Sequence, residues 1–170
     1  MIIHISGSSG SGKTYIGNLF KNKINVIDTD DWTEEYDKII KVKTKKSFID
    51  FIQNQINNLD ENKINLLVGY LDFYINNKLL IFPIISKYKF YIKIIPKKLF
   101  IQYNSRIINW ICKNKEEAIS KINHYKLLPF KTLDEIEKQY KNDYNDYVVK
   151  LNYKLYTQNK IIKFLEKQLL

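Results

Sequence analysis

Only one cysteine, Cys112, occurs in the 170 residues. A single thiol cannot close an internal disulfide, so the fold is expected to rest on its core alone, in a reducing compartment, the cytoplasm. Three prolines and five glycines exclude a collagen-like or proline-rich chain. No uncharged apolar run approaches the ~20 residues that span a bilayer, so no membrane partner is expected. The amino end, Met1-Ile2-Ile3-His4-Ile5-Ser6, lacks a basic stretch followed by a long apolar one, so no secretory leader is expected. One cysteine and two histidines form no zinc-ligand spacing. His4 reads as buried in a strand, and His124 as a surface or structural residue. Arg106 is the only arginine among 28 basic residues. Nucleic-acid readers draw on arginine's forked donors. The net charge of +10 is therefore read first as a solvated lysine-rich surface, and only second as a polyanion-binding face.

What is present is enough for a packed domain. Hydrophobic residues make up 45% and aromatics 14%, which excludes wholesale disorder. Lys, Ile, Asn and Tyr supply about half the chain, a skew that A+T-rich codons would produce. One domain over 1–170 is expected.

The first thirty residues carry the chemistry. Ile2-Ile3-His4-Ile5 reads as a short buried strand ending at Ser6. Gly7-Ser8-Ser9-Gly10-Ser11-Gly12-Lys13-Thr14 fits G-x-x-x-x-G-K-[ST] at every fixed position. Tyr15 to Lys21 reads as a helix, with Ile16, Leu19 and Phe20 on one face. A polyphosphate needs many donors at short range, and backbone amides reach it only where no Cβ intervenes, hence glycine at 7, 10 and 12. The helix N-terminus adds unpaired amides and a positive dipole end. Lys13 adds a point charge, and the Thr14 hydroxyl is placed to ligate Mg²⁺.

Ile24-Asn25-Val26-Ile27-Asp28 reads as the second strand, followed by Thr29-Asp30-Asp31-Trp32. Ligands of open α/β sheets bind outside the carboxyl ends of strands. A carboxylate there orients Mg²⁺ or takes a proton from an attacking hydroxyl. If the strand continues, Asp28 and Asp30 share a face; the competing expectation is an acidic turn capping the next helix. Ile64 to Asp72 reads as a further buried strand whose Asp72 either stands behind the waters of Mg²⁺ or simply serves the turn.

These residues carry a resemblance. Residues 7–20 are similar to the loop and helix of shikimate kinases, and Ile27-Asp28-Thr29-Asp30 to that family's Asp-x-Asp. Asp30-Asp31-Trp32 is also similar to the Asp-Asp-aromatic step of nicotinamide riboside kinases and polynucleotide kinases. The chain thus resembles the P-loop small-molecule kinase superfamily over its first thirty-odd residues, and beyond them only in rhythm. Only Gly69 stands where shikimate kinases have three glycines, which points away from shikimate itself.

The resemblance implies an α/β fold of three layers, α/β/α, with a helical lid at about 97–131. It implies ATP and Mg²⁺ as cofactors, with residues 7–15 (Gly7, Ser8, Ser9, Gly10, Ser11, Gly12, Lys13, Thr14 and Tyr15) around the phosphates. Lys13, Asp30 and Arg106 are the expected catalytic residues: Asp30 as base, Arg106 closing from the lid. Thr14, Asp28 and Asp72 are the expected metal-associated residues, and Thr157 with Gln158 would flank adenine. The expected activity is transfer of the γ-phosphate to a hydroxyl or phosphate of a small molecule, a nucleoside or nucleotide first. The alternatives are 5′-hydroxyl phosphorylation of a polynucleotide, or a nucleotide-binding regulatory module with little turnover. Nucleic acid is the less favoured partner, and nothing in the sequence bears on oligomeric state.

The remaining chain is read for organisation. Residues 33–46 are expected to hold a helical turn. Ser47-Phe48-Ile49-Asp50 reads as a capping box opening a helix over 47–59. Residues 73–88 fit no single element, because Pro83 interrupts them. A strand over 90–95 and a helix from Lys97 to Ile111 follow. Thr132 to Glu135 reads as a capping box for a helix to about 149, whose tyrosines pack core and rim. Residues 152–156 read as the last strand, and Thr157 as cap of the final helix. Strands alternating with helices imply a parallel sheet of about five strands, covered on both faces. Acceptor chemistry is left to residues 33–60, 73–88 and the lid, where the sequence is silent on it.

Overall fold

The computed structural model describes residues 1–75, 78–84, 86–125 and 130–170, without the side chains of 74, 75, 78, 124 and 125. The expectation for His124 therefore lies outside the described residues. In chain order the elements are β1 (Ile2–Ser6), α1 (Lys13–Phe20), β2 (Asn25–Asp28), α2 (Thr29–Ile39), α3 (Lys45–Asn57), β3 (Asn65–Val68), β4 (Asp72–Ile75), β5 (Lys78–Ile81), β6 (Tyr88–Ile92), α4 (Pro96–Lys113), α5 (Lys115–Tyr125), α6 (Leu133–Asp143), a π-helical segment (Tyr144–Lys150), β7 (Lys154–Tyr156) and α7 (Gln158–Gln168).

The chain folds as α/β around a five-stranded parallel sheet in the order β2-β3-β1-β6-β7. Side chains alternate across each strand, so Ile3 and Ile5 of β1 enter one core while His4 enters the other face. On the first face, Ile16 and Phe20 of α1 and Ile161 and Leu165 of α7 pack on Leu66, Val68, Phe90 and Ile92. On the second, Trp32 and Tyr36 of α2 and Phe48 and Ile52 of α3 pack on Leu67, with Leu71 and Phe82 beside them. Tyr91, Tyr147 and Tyr153 continue that second layer. Each fully buried Ile, Leu or Phe contributes about 1.5–3 kcal/mol, which is why both faces of the sheet are covered.

Several boundaries differ from expectation. Leu19 is exposed, and buried Gly17 takes the inward place on α1, its Cα close to Val26 and Val68. Helix α2 begins at Thr29, not beyond Trp32, because the Asp28 carboxylate accepts from the Asp30 amide and ends the strand there. Asp28 and Asp30 therefore do not share a strand face. The cap of α3 is Thr44, which forms a reciprocal box with Ser47; the Ser47–Asp50 box is not formed. The Thr132–Glu135 box and the Thr157 cap form as expected. The apolar run at 64–72 breaks at Gly69, which takes φ 135°. β4 (Asp72–Ile75) and β5 (Lys78–Ile81) pair as an antiparallel ribbon. The helix after Thr132 changes to π winding at Tyr144, and that turn seats Tyr147 in the core at 2% exposure.

The topology creates a crevice. From β1 the chain crosses to β2 on one side, whereas from its neighbour β3 it passes back over β1 to β6. Ligand sites of open α/β sheets lie where neighbouring strands diverge like this. The loop 7–12 leaves the carboxyl end of β1 at that point, beside Gly69 and Tyr70 at the end of β3.

Candidate functional site

The Gly-rich loop is held from several sides. Gly12 is left-handed, φ 93°, and opens α1 with no side-chain cap and no acidic residue in the first turn. The helix's first ladder bond runs from the Ile16 amide to the Gly12 carbonyl, so the amides of residues 13–15 have no acceptor within α1. Gln158 Nε2 donates to the Ser11 carbonyl at 2.6 Å, and a Cβ on Gly12 would run into that amide. Ser8 Oγ donates to Asp143 Oδ2 at 2.8 Å and accepts from the Tyr91 hydroxyl at 2.9 Å. Such an uncapped, amide-rich turn suits a polyphosphate.

Lys13 points back over this loop. Its Nζ donates to the Gly7 and Ser8 carbonyls and stands 4.8 Å from the centre of the Tyr70 ring. Burial lowers its pKa to about 8, against the opposing pull of Asp30 first and Asp143 second. Arg106, on exposed α4, donates to Ser9 Oγ at 3.0 Å, so the lone arginine reaches the loop. Thr14 and Tyr15 sit in the first turn of α1 with exposed side chains.

Carboxylates gather around the lysine. Asp30 is raised above the ordinary carboxylate value by desolvation and by Asp28, with Lys13 opposing. Asp72 is raised to about 6, by burial first and then by the charges of Asp143 and Asp30. Asp28 lies beside Asp30, since both face the position that a Cβ on Gly69 would take, at 3.3 and 3.2 Å. Asp28, Asp30 and Asp72 are thus brought to one locality with Lys13. Among the described residues, no three His, Cys, Asp or Glu side chains converge to hold a metal by themselves. Mg²⁺ commonly uses only one or two protein carboxylates, with the remaining positions filled by water and substrate phosphate. Asp28 and Asp72 would therefore serve Mg²⁺ at most as a partial set, which the exposed Thr14 would join only with water and phosphate oxygens completing it.

Asp143 is the residue that sequence reasoning missed. Its Oδ2 accepts from Ser8 and from the Tyr70 hydroxyl, both at 2.8 Å, and burial raises its pKa. Nothing local marks it: it closes an amphipathic helix 135 positions after Ser8. His4 is buried in β1, as expected. Its Nε2 lies 3.1 Å from the Gly69 carbonyl, which can only accept, so Nε2 carries the proton and Nδ1 accepts from the Tyr153 hydroxyl at 2.6 Å.

One recess meets the loop, and a second meets its partners Tyr70 and Asp143. The first, of about 230 Å³, is formed by Ser11, Ile92, Ile94, Lys98, Thr157 and Gln158. The other, about 760 Å³, lies against Tyr70, Asp72 and Asp143. Among the described residues no helix is long and apolar enough to cross a membrane. A scan against protein-family models finds no match, and no curated protein matches the chain.

Proposed function

We propose that the protein is an ATP- and Mg²⁺-dependent P-loop kinase that phosphorylates a hydroxyl of a small molecule. One observation carries this: an uncapped, Gly-rich helix start at the crevice of a parallel sheet, with Lys13, Arg106 and Asp30 converging on it.

Loop amides and Lys13 would bind the phosphates, so the three glycines serve close approach. The smaller recess would take the nucleobase between the Ile92–Ile94 edge and the Thr157–Gln158 turn. Mg²⁺, held by Thr14 and by Asp28 or Asp72 through water, would neutralise phosphate charge. Asp30 would orient the acceptor hydroxyl and receive its proton; its raised pKa suits that role better than an ordinary aspartate's. Arg106 would spread the charge of the transferring group from α4, which with α5 would form the lid. The compartment consistent with a lone exposed cysteine, Cys112, is the cytoplasm.

The test is calorimetry with Mg²⁺ and ATP, followed by ADP release with and without acceptors. Lys13→Ala should weaken nucleotide binding about ten- to a hundredfold, the worth of a charge-assisted contact. Asp30→Ala should abolish transfer while preserving nucleotide binding and the thermal transition. Binding without acceptor-dependent ADP release would instead make the protein a nucleotide-binding module.

A further inference from the structure

We propose that the larger recess is the acceptor site and that it takes a polyhydroxylated small molecule of the sugar or cyclitol kind, with neither a nucleobase nor a polynucleotide end. This rests on the kinase assignment for its chemistry, though the recess itself does not.

Position comes first. The recess is open, about 760 Å³, and its inner wall is Tyr70, Asp72 and Asp143. Two of these touch the Gly-rich loop apparatus directly: Tyr70 lies beneath the Lys13 ammonium, and Asp143 accepts from Ser8. The smaller recess meets the same loop at Ser11, on the Gln158 side. The smaller recess therefore meets the loop itself, and the larger one meets the loop's partners Tyr70 and Asp143. With a nucleotide in the first, the second is left for the acceptor.

Chemistry selects the occupant. A nucleobase offers two flat faces that need aromatic or aliphatic cover. This recess supplies one aliphatic side chain, Leu79, and one aromatic, Tyr70, whose ring already faces Lys13. The outer wall is Gln139, Asn142, Asn145 and Lys138. Carboxylates only accept, ammonium groups only donate, and carboxamides do both. A hydroxyl both donates and accepts, so a ring of hydroxyls meets all three kinds of group, while a lining with so little apolar cover leaves the flat faces of a base without a partner. The lining carries both charge signs, three lysines and four carboxylates, so it is no cationic track for a phosphodiester chain.

The experiment is a thermal-shift and calorimetric series on the intact protein, with and without Mg²⁺·ADP. The probes are ribose, glucose and myo-inositol, against adenosine, cytidine and a 5′-hydroxyl oligonucleotide. At least one polyol should raise the transition and bind stoichiometrically, while nucleosides and the oligonucleotide should not add to the Mg²⁺·ADP shift. The double variant Asn142→Leu/Asn145→Leu changes two exposed side chains and should weaken polyol binding at least tenfold, leaving the Mg²⁺·ADP shift intact. No polyol binding, binding by a nucleoside or oligonucleotide in its place, or undiminished polyol binding by the double variant would each overturn the proposal. If Mg²⁺·ADP gives no shift, the kinase assignment falls, while polyol binding without nucleotide still decides the recess.

Discussion

Ser8 Oγ and Asp143 Oδ2 lie 2.8 Å apart, joining the loop after the first strand to the end of α6. The same carboxylate oxygen takes the Tyr70 hydroxyl at 2.8 Å, so one side chain ties the ends of β1 and β3 to the helical layer. Asp143→Ala strands two hydroxyls inside the protein and should cost about 1–3 kcal/mol. Asp143→Asn retains an acceptor oxygen and should recover most of that. Urea midpoints of the two variants decide: equal losses would mean that the charge, not the hydrogen bonds, does the bracing.

Arg106 offers a cleaner separation of stability from activity. It is exposed, and among the described residues its side chain bonds to Ser9. Arg106→Ala should leave the unfolding free energy within about 0.5 kcal/mol of the parent. If the kinase assignment holds, acceptor-dependent ADP release should fall about a hundredfold or more. Arg106→Lys should restore little of it, since an ammonium lacks the planar fork. Full turnover in Arg106→Ala would remove α4 from the chemistry.

Gly69 should tolerate no side chain. Its φ of 135° strains any other residue, and an added Cβ would run into the Thr29 hydroxyl, itself bound to the Tyr70 carbonyl at 2.6 Å. Gly69→Ala is expected to lose about 1–3 kcal/mol and to displace Asp30. Chemical denaturation measures the first effect; a loss under about 0.5 kcal/mol would mean that the turn relaxes freely.

His4 sets an acid limit on the fold. Burial depresses its pKa from 6.5 to about 4, with only the Gly69 carbonyl pulling the other way. The folded state thus binds this proton less tightly than the unfolded chain. The stability at stake is fully present above pH 6.5 and drains as pH falls from there to about 4. At ~1.4 kcal/mol per tenfold in proton affinity, the whole window is worth roughly 3 kcal/mol. Asp72, raised to about 6, works in the opposite sense, since its folded form holds the proton more tightly. The comparison is therefore between the parent and His4→Gln, which keeps a donor and an acceptor. The stability difference, parent minus variant, should shrink between pH 6.5 and 4; a constant difference would show that His4 does not titrate in that window.

Much of the scaffold was legible because its signals are local. The strand Ile2–Ser6, the Gly-Lys-Thr turn, the Thr132–Glu135 box and the Thr157 cap all depend on residues within about four positions of one another. The alternation of strands and helices sufficed for a parallel sheet, since a crossover helix is the short way to bring parallel strands together. The ribbon of β4 and β5 was not legible, because Pro83 and a continuous apolar run obscured the period of two. The Thr44 cap was missed because Ser47 offers an equally good local pattern three residues later. The π turn was missed because it changes winding without altering which face the tyrosines serve.

Sequence alone determined that a glycine-rich turn followed by Lys13 begins a helix, since backbone freedom at Gly12 and the apolar spacing of Ile16 and Phe20 demand it. Tertiary structure alone decided the company that turn keeps. Asp143, Tyr70, Gln158 and Arg106 come from four distant stretches and meet there because the strand order turns back at β1 and β3, and a carboxylate's effect depends on distance through space, not along the chain.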